Sequence, residues 1–120
     1  MAIDQEDVDA LIPLPPATFH ILIALADEDR HGYAIIQDIA ARTGHEIQMS
    51  AGTLYRSIQR MQEQGLIIEK RQRPAPPNDD ERRRYYRITL FGSAVARAEA
   101  QRLKEMLKLA RARGILPGTT

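Results

Sequence analysis

Cysteine is absent from this chain, which excludes disulfides and thiolate metal sites and suits a reducing cytoplasm. No uninterrupted apolar run approaches the roughly 20 residues that span a bilayer, so no membrane segment is expected. Lysine and arginine are missing from residues 1–29, and the acidic start Met-Ala-Ile-Asp-Gln-Glu-Asp has the wrong sign for a secretory leader. His20, His31 and His45 form no helical pair and have no cysteine to join, so a metal site is not expected. No Ser-His-Asp arrangement, Gly-rich phosphate loop or convergent carboxylate pair is present, and catalysis has no foothold.

What is present fits one compact domain: 120 residues, 43% of them hydrophobic. The net charge of +1 hides a gradient. Seven acids lie in residues 1–29, whereas residues 54–87 carry nine bases against five acids. Phosphate contacts respond to local potential within about 8–10 Å at cellular salt, so distribution outweighs the total. A charge run alone is usually just a solvated face; here it coincides with a patterned helix.

That helix is predicted from Ser50 to Gly65. Ser50 is a good N-cap, its hydroxyl accepting from a first-turn N–H, and Gly65 suits the left-handed residue after the helix. Leu54, Ile58 and Met61 form an apolar stripe. Thr53, Arg56, Ser57 and Arg60 lie nearly opposite, with two guanidiniums one turn apart and no carboxylate between them. Arg56 and Arg60 suit bidentate contact with guanine, typically ~1–3 kcal/mol of discrimination, or equally contact with phosphates. Ser50 and Thr53 sit at the helix start, where a phosphate or base edge is in reach. Tyr55 lies on the margin between the stripes.

Around it, residues 1–12 read as an acidic tail or a short docked helix, and Pro13, Pro15 and Pro16 punctuate the chain. Ala17 to Ala26 is apolar almost all round and predicts a short buried helix. Gly32 to Thr43 predicts another, with Tyr33, Ile36, Ile39 and Ala40 facing inward and Gly44 ending it. Leu66–Gln72 and Arg84–Thr89 predict two strands joined by a Pro-rich exposed loop. Arg71, Arg73, Arg82, Arg83 and Arg84 flank this wing and suit phosphate or minor-groove contact. Asp79, Asp80 and Glu81 at its tip would be repelled by DNA. Leu90 to Arg113 predicts one long helix, closed by Gly114 and Pro117.

His31-Gly32-Tyr33, Ser50-x-Gly-Thr-Leu-Tyr55, Gly65-Leu66-Ile67 and Arg84-Tyr85-Tyr86-Arg87-Ile88-Thr89 with Gly92 occur in this order. In that combination the chain resembles the PadR family of bacterial transcriptional regulators, in its short form with a single C-terminal helix. The resemblance implies a winged helix-turn-helix repressor that dimerises through that helix, and it favours a DNA-side role for Tyr55. Arg56 stands where the family often has proline.

The expected fold is mainly α with a small two-stranded β-wing. Residues 1–16 form an acidic N-terminal segment, 17–89 the winged helix-turn-helix, 90–113 a dimerisation helix and 114–120 a tail. Val95, Leu103, Met106, Leu107 and Ala110 are the candidate dimer residues. The expected partners are double-stranded DNA, on a pseudo-palindromic operator, and a second copy of the chain, in the cytoplasm. Some relatives bind flat aromatic molecules against tryptophan at the dimer interface; with no Trp here, the identity of a small-molecule effector is not legible. The competing reading is a winged-helix module whose basic wing meets an acidic protein. The paired arginines of the central helix favour DNA, since a partner-binding helix more often presents an apolar patch.

Overall fold

The computed structural model describes residues 2–70 and 84–117. Five helices and three short strands follow in the order α1 (Gln5–Asp9), α2 (Pro16–Leu25), β1 (Arg30–His31), α3 (Gly32–Arg42), α4 (Ala51–Glu63), β2 (Ile67–Lys70), β3 (Tyr85–Ile88) and α5 (Leu90–Ala112). Arg71, Arg73, Arg82 and Arg83 lie outside the described residues. No helix among the described residues is long and apolar enough to cross a membrane.

Local chemistry sets the helix starts. Ser50 accepts from the Thr53 N–H at 3.1 Å, and Thr89 accepts from the Gly92 N–H at 2.9 Å. His31 does the same for α3, its Nδ1 accepting from the Ala34 N–H at 3.2 Å. Each removes one of the orphan donors that a helix start leaves unpaired. After α4, Gly65 turns with φ 77°, and the Leu66 N–H returns to the Met61 carbonyl at 2.9 Å. This is the left-handed closure that favours glycine.

The core gathers around α2, whose Ile21, Leu22, Ala24 and Leu25 are buried. Ile35 and Ile39 of α3, Leu54, Ile58 and Met61 of α4, and Leu66, Ile67 and Tyr86 of the wing close over it. Tyr33 is a correction: it is 63% exposed, because the buried stripe of α3 runs through Gly32, Ile35 and Ile39. At 3.6 residues per turn, Tyr33 falls off that stripe.

The wing strands pair antiparallel, Ile67 opposite Ile88 and Lys70 opposite Tyr85. A third strand, β1, adds to the other edge of β3, with Arg30 opposite Tyr86, giving the order β1-β3-β2. Two residues flanked by charge carry too little pattern to be read as a strand from sequence. Here β1 anchors an ion-pair frame. Arg30 Nε donates to the Ala24 carbonyl at 2.7 Å and its guanidinium pairs with Glu28 at 3.0 Å. Arg42 pairs with Asp38, and Arg87 makes a two-pronged contact with Asp29 at 2.9 and 3.0 Å. The acids that connect α2 to β1 are therefore matched by arginines of neighbouring elements.

α1 docks on α5, burying Val8 in the core. Beyond it, the Leu14 N–H donates to Glu99 Oε2 at 2.9 Å. Of the two sequence readings for residues 1–12, the docked helix is the one adopted. Gly92, in the first turn of α5, lies against the Leu66 carbonyl so closely that a Cβ there would overlap that oxygen. Val95 is wholly buried within this one chain, so it serves the domain core and is withdrawn as a dimer contact.

Candidate nucleic-acid interface

α3 and α4 form a helix-turn-helix pair in which α4 offers its outer face to solvent. Leu54, Ile58 and Met61 fasten its inner face. At about 100° per residue, the direction opposite their centre passes through Gly52, Arg56, Gln59, Arg60 and Glu63. All five are exposed. Thr53 and Ser57 are half-buried on the flank, so they do not belong to the outer face the sequence assigned them. Gln59 was missed for the same reason, and a helical wheel centred on the three buried residues finds it.

Elsewhere in the described residues Arg30, Arg42, Arg84, Arg87 and Arg102 each pair with a carboxylate, whereas Arg97 and Arg111 of the long helix and Arg113 at its cap pair with none. Arg56 and Arg60 are within ion-pair distance of none among the described residues, although Glu63 shares their face. Two solvated guanidiniums on one convex helix leave ten N–H donors without a protein acceptor. That suits an external polyanion.

Tyr55 stands beside them, 52% exposed, with its hydroxyl end over α3. A Cβ on Gly32 would lie 2.5 Å from Tyr55 Oη and 3.0 Å from Cζ, so the missing side chain makes room for this ring. Ser50 is engaged in the cap, and its hydroxyl also bonds Thr53 Oγ1 at 3.1 Å.

In the wing, Arg84 pairs with Glu69 across the strands at 3.5 Å, yet its side chain stays largely exposed. The pair is open enough for solvent to screen it strongly. Behind the wing, burial raises the pKa of the Tyr86 phenol, with Glu69 and Tyr55 adding and Arg84 opposing. The phenol therefore stays neutral across the physiological range. His31 meets Tyr85 edge-on, ring centroids 5.5 Å apart.

α5 divides in two. Its first half turns Gly92, Val95 and Glu99 into the domain. The same face continues through Leu103, Met106 and Ala110 after the domain has ended; Leu103 and Ala110 are half-buried and Met106 is exposed. Leu107, Leu109 and Ile115 add further exposed apolar surface.

Residues 21–98 match the model of the transcriptional regulator PadR-like family. Transcriptional regulator Rv3488 of Mycobacterium tuberculosis is 33% identical over 89 residues, covering 74% of this chain and 77% of the relative. An uncharacterized protein of Lysinibacillus sphaericus is 36% identical over 74 residues, covering 62% of this chain and 65% of that relative's length. Among solved structures, a transcriptional regulator from Clostridium thermocellum superimposes with a TM-score of 0.68 at 22% identity, covering 92% of this chain and 97% of the other. A PadR family transcription regulator from Clostridium difficile superimposes at 0.67 with 23% identity, covering 82% and 97%.

Proposed function

This chain belongs to the PadR-like family of transcriptional regulators, and on that premise we propose that it is a repressor that binds a pseudo-palindromic operator as a homodimer. The observation that carries the reading is the outer face of α4, where Arg56 and Arg60 stand free of carboxylates on a helix braced by α3. α4 enters the major groove, with Arg56 toward base edges and Tyr55 toward the adjoining backbone. The wing follows the sugar-phosphate backbone through Arg84 and the flanking Arg71, Arg73, Arg82 and Arg83. Ser50 holds the helix start in shape, and Thr53 supports that end of the reading surface.

Dimerisation follows from α5. The stripe Leu103, Met106, Leu107 and Ala110 continues a face that is buried in the first half of the helix, and a second copy would cover it. One winged helix reads a short site; pairing two of them puts reading helices about one DNA turn, ~34 Å, apart.

The test is selection of duplexes from a random pool, followed by titration of the enriched duplex and a scrambled one at several salt concentrations. A steep fall of log K with log salt, together with a preference for the enriched sequence, is the expected result. Arg56→Ala should cost the enriched duplex about 5–100-fold, the range of a base contact, and the scrambled duplex much less. Salt-dependent binding without sequence preference would favour the acidic-partner reading instead.

A further inference from the structure

Four of the five helices begin under a side-chain cap; α2 begins at Pro15–Pro16 with none. Its first bonded amide is Phe19, which reaches the Pro15 carbonyl at 3.2 Å. The Ala17 and Thr18 N–H groups precede it in the first turn, where no carbonyl of the helix stands behind them. This end of α2 opens into a notch of about 490 Å³ whose other wall is α4, lined by Thr18 with Ser57, Arg56, Arg60 and Glu63.

Thr18 supplies the independent observation. Only 4% of the residue is exposed, it lines the notch, and its hydroxyl has no hydrogen-bond partner among the described residues. A threonine inside a helix usually turns its hydroxyl back to a carbonyl one turn earlier. The Thr18 oxygen is not shut off from solvent, His20 Nδ1 being the one wholly buried side-chain polar atom without a partner among the described residues, so the edge it keeps accessible is open to a ligand in the notch. On the facing wall, Arg60 stands about 60° round α4 from half-buried Ser57, and Arg56 about 100° round in the same direction. Arg60 is thus the guanidinium on the notch side and Arg56 the one turned further out.

We propose that this notch seats one phosphate of the DNA backbone, held by the Thr18 hydroxyl and the first-turn N–H groups of α2 and covered by the charge of Arg60. The inference rests on the DNA-binding reading above and refines it: Arg56 reads, Arg60 holds. Helix dipole, neutral donors and one guanidinium together favour a single anionic oxygen group. Glu63 lines the same notch and would repel a phosphate, so the seat lies at the α2 end, away from that carboxylate.

The experiment titrates the full chain against an enriched duplex and its scrambled counterpart at several salt concentrations, with thermal melting as the control for folding. Thr18→Val keeps the shape and removes the hydroxyl. It should weaken both duplexes about equally, by about tenfold, and leave the salt slope unchanged because no charge is lost. Thr18→Ser should restore binding. Arg60→Gln should weaken both duplexes and flatten the slope by about 0.9. A methylphosphonate walked along the backbone should cost the wild type affinity at one position per half-site, and cost Arg60→Gln much less there. Wild-type binding by Thr18→Val, or a loss confined to the enriched duplex, overturns the seat while leaving DNA binding intact. If Thr18→Val does not fold, a methylphosphonate scan identical in wild type and Arg60→Gln overturns it. A wild type that binds neither duplex overturns both readings.

Discussion

Replacing Glu99 by glutamine should loosen the N-terminal segment from the long helix, and the structure sets the size of the effect. Glu99 is 2% exposed. Its carboxylate accepts from the Leu14 N–H at 2.9 Å and from Arg102 Nε and Nη2 at 2.6 and 3.1 Å. Hydrogen bonding to Arg102 is the main reason its pKa lies below the usual carboxylate range; burial opposes this, and the Leu14 N–H adds to it. Glutamine keeps the shape but offers one oxygen where three donors converge, so its amide N–H₂ must face a donor. Losing about one charge-assisted bond is worth roughly 2 kcal/mol. In a domain of this size that corresponds to a fall in Tm of roughly 6–12 °C. The sign of the pH dependence follows from the lowered pKa. The ionised form is favoured in the folded state, so its contribution is complete above the unfolded value of about 4.3 and is lost as pH falls through the folded value. Urea unfolding followed by circular dichroism should therefore show a constant gap between wild type and Glu99→Gln from about pH 7 to 5, narrowing below about pH 4. No gap at neutral pH, or one that persists unchanged in acid, would refute the assignment.

Three further outcomes follow from the packing. Gly92→Ala should cost about 3 kcal/mol, because its Cβ would overlap the Leu66 carbonyl oxygen and lie 3.0 Å from Ile88 Cγ1, so α5 itself must shift; a chemical denaturation midpoint close to wild type would show that the helix yields more cheaply. Gly32→Ala should leave the melting temperature nearly unchanged but push Tyr55 outward, since the ring's free end is what gives way. Duplex binding should then fall about as far as in Tyr55→Ala, and a variant that binds normally would remove Tyr55 from the interface. Leu103→Glu combined with Leu107→Glu should give folded monomers by light scattering, because both sit on the stripe that continues beyond the domain. A dimer surviving both changes would move the interface elsewhere, α1 being the next surface to test.

The parts of the fold legible in the sequence were those written in local chemistry. Ser50 and Gly65 bound α4 because cap and left-handed turn depend on their own backbone. Leu54, Ile58 and Met61 gave the buried face outright, since their 3.6-residue spacing needs no tertiary knowledge. Where the reading slipped, a neighbouring element decided. Tyr33 looks like a core residue by composition, and only the docking of α3 through Gly32, Ile35 and Ile39 turns it outward. Val95 fits a dimer stripe equally well in sequence; in the fold it is buried in the core of its own domain. β1 exists only because β3 offers it an edge. The basic count over residues 54–87 overstated the free charge, because Asp29 takes Arg87 and Glu69 engages Arg84. Thr18 gave no signal at all, since an unpartnered hydroxyl is a property of three dimensions.

These separate contacts act together through α5. Gly92 presses its first turn onto the connection from α4 to β2 through the Leu66 carbonyl, and Glu99 ties the next turns to the N-terminal segment at Leu14. By then the helix is fixed against its own domain on two sides, and its remaining turns project with an apolar stripe only partly covered, Met106 and Leu107 being exposed. A rod of 23 residues, about 34 Å long, transmits direction without bending much. If two such rods pair through Leu103, Met106, Leu107 and Ala110, the spacing of the two α4 helices is set at Gly92 and Glu99 as much as at the dimer contact. Variants at Gly92 or Glu99 that stay dimeric should therefore prefer altered half-site spacing, although neither residue lies on the α4 face. A duplex series with half-sites moved apart one base pair at a time would measure this. An unchanged optimum in both variants would mean that operator spacing is set beyond Leu103 alone.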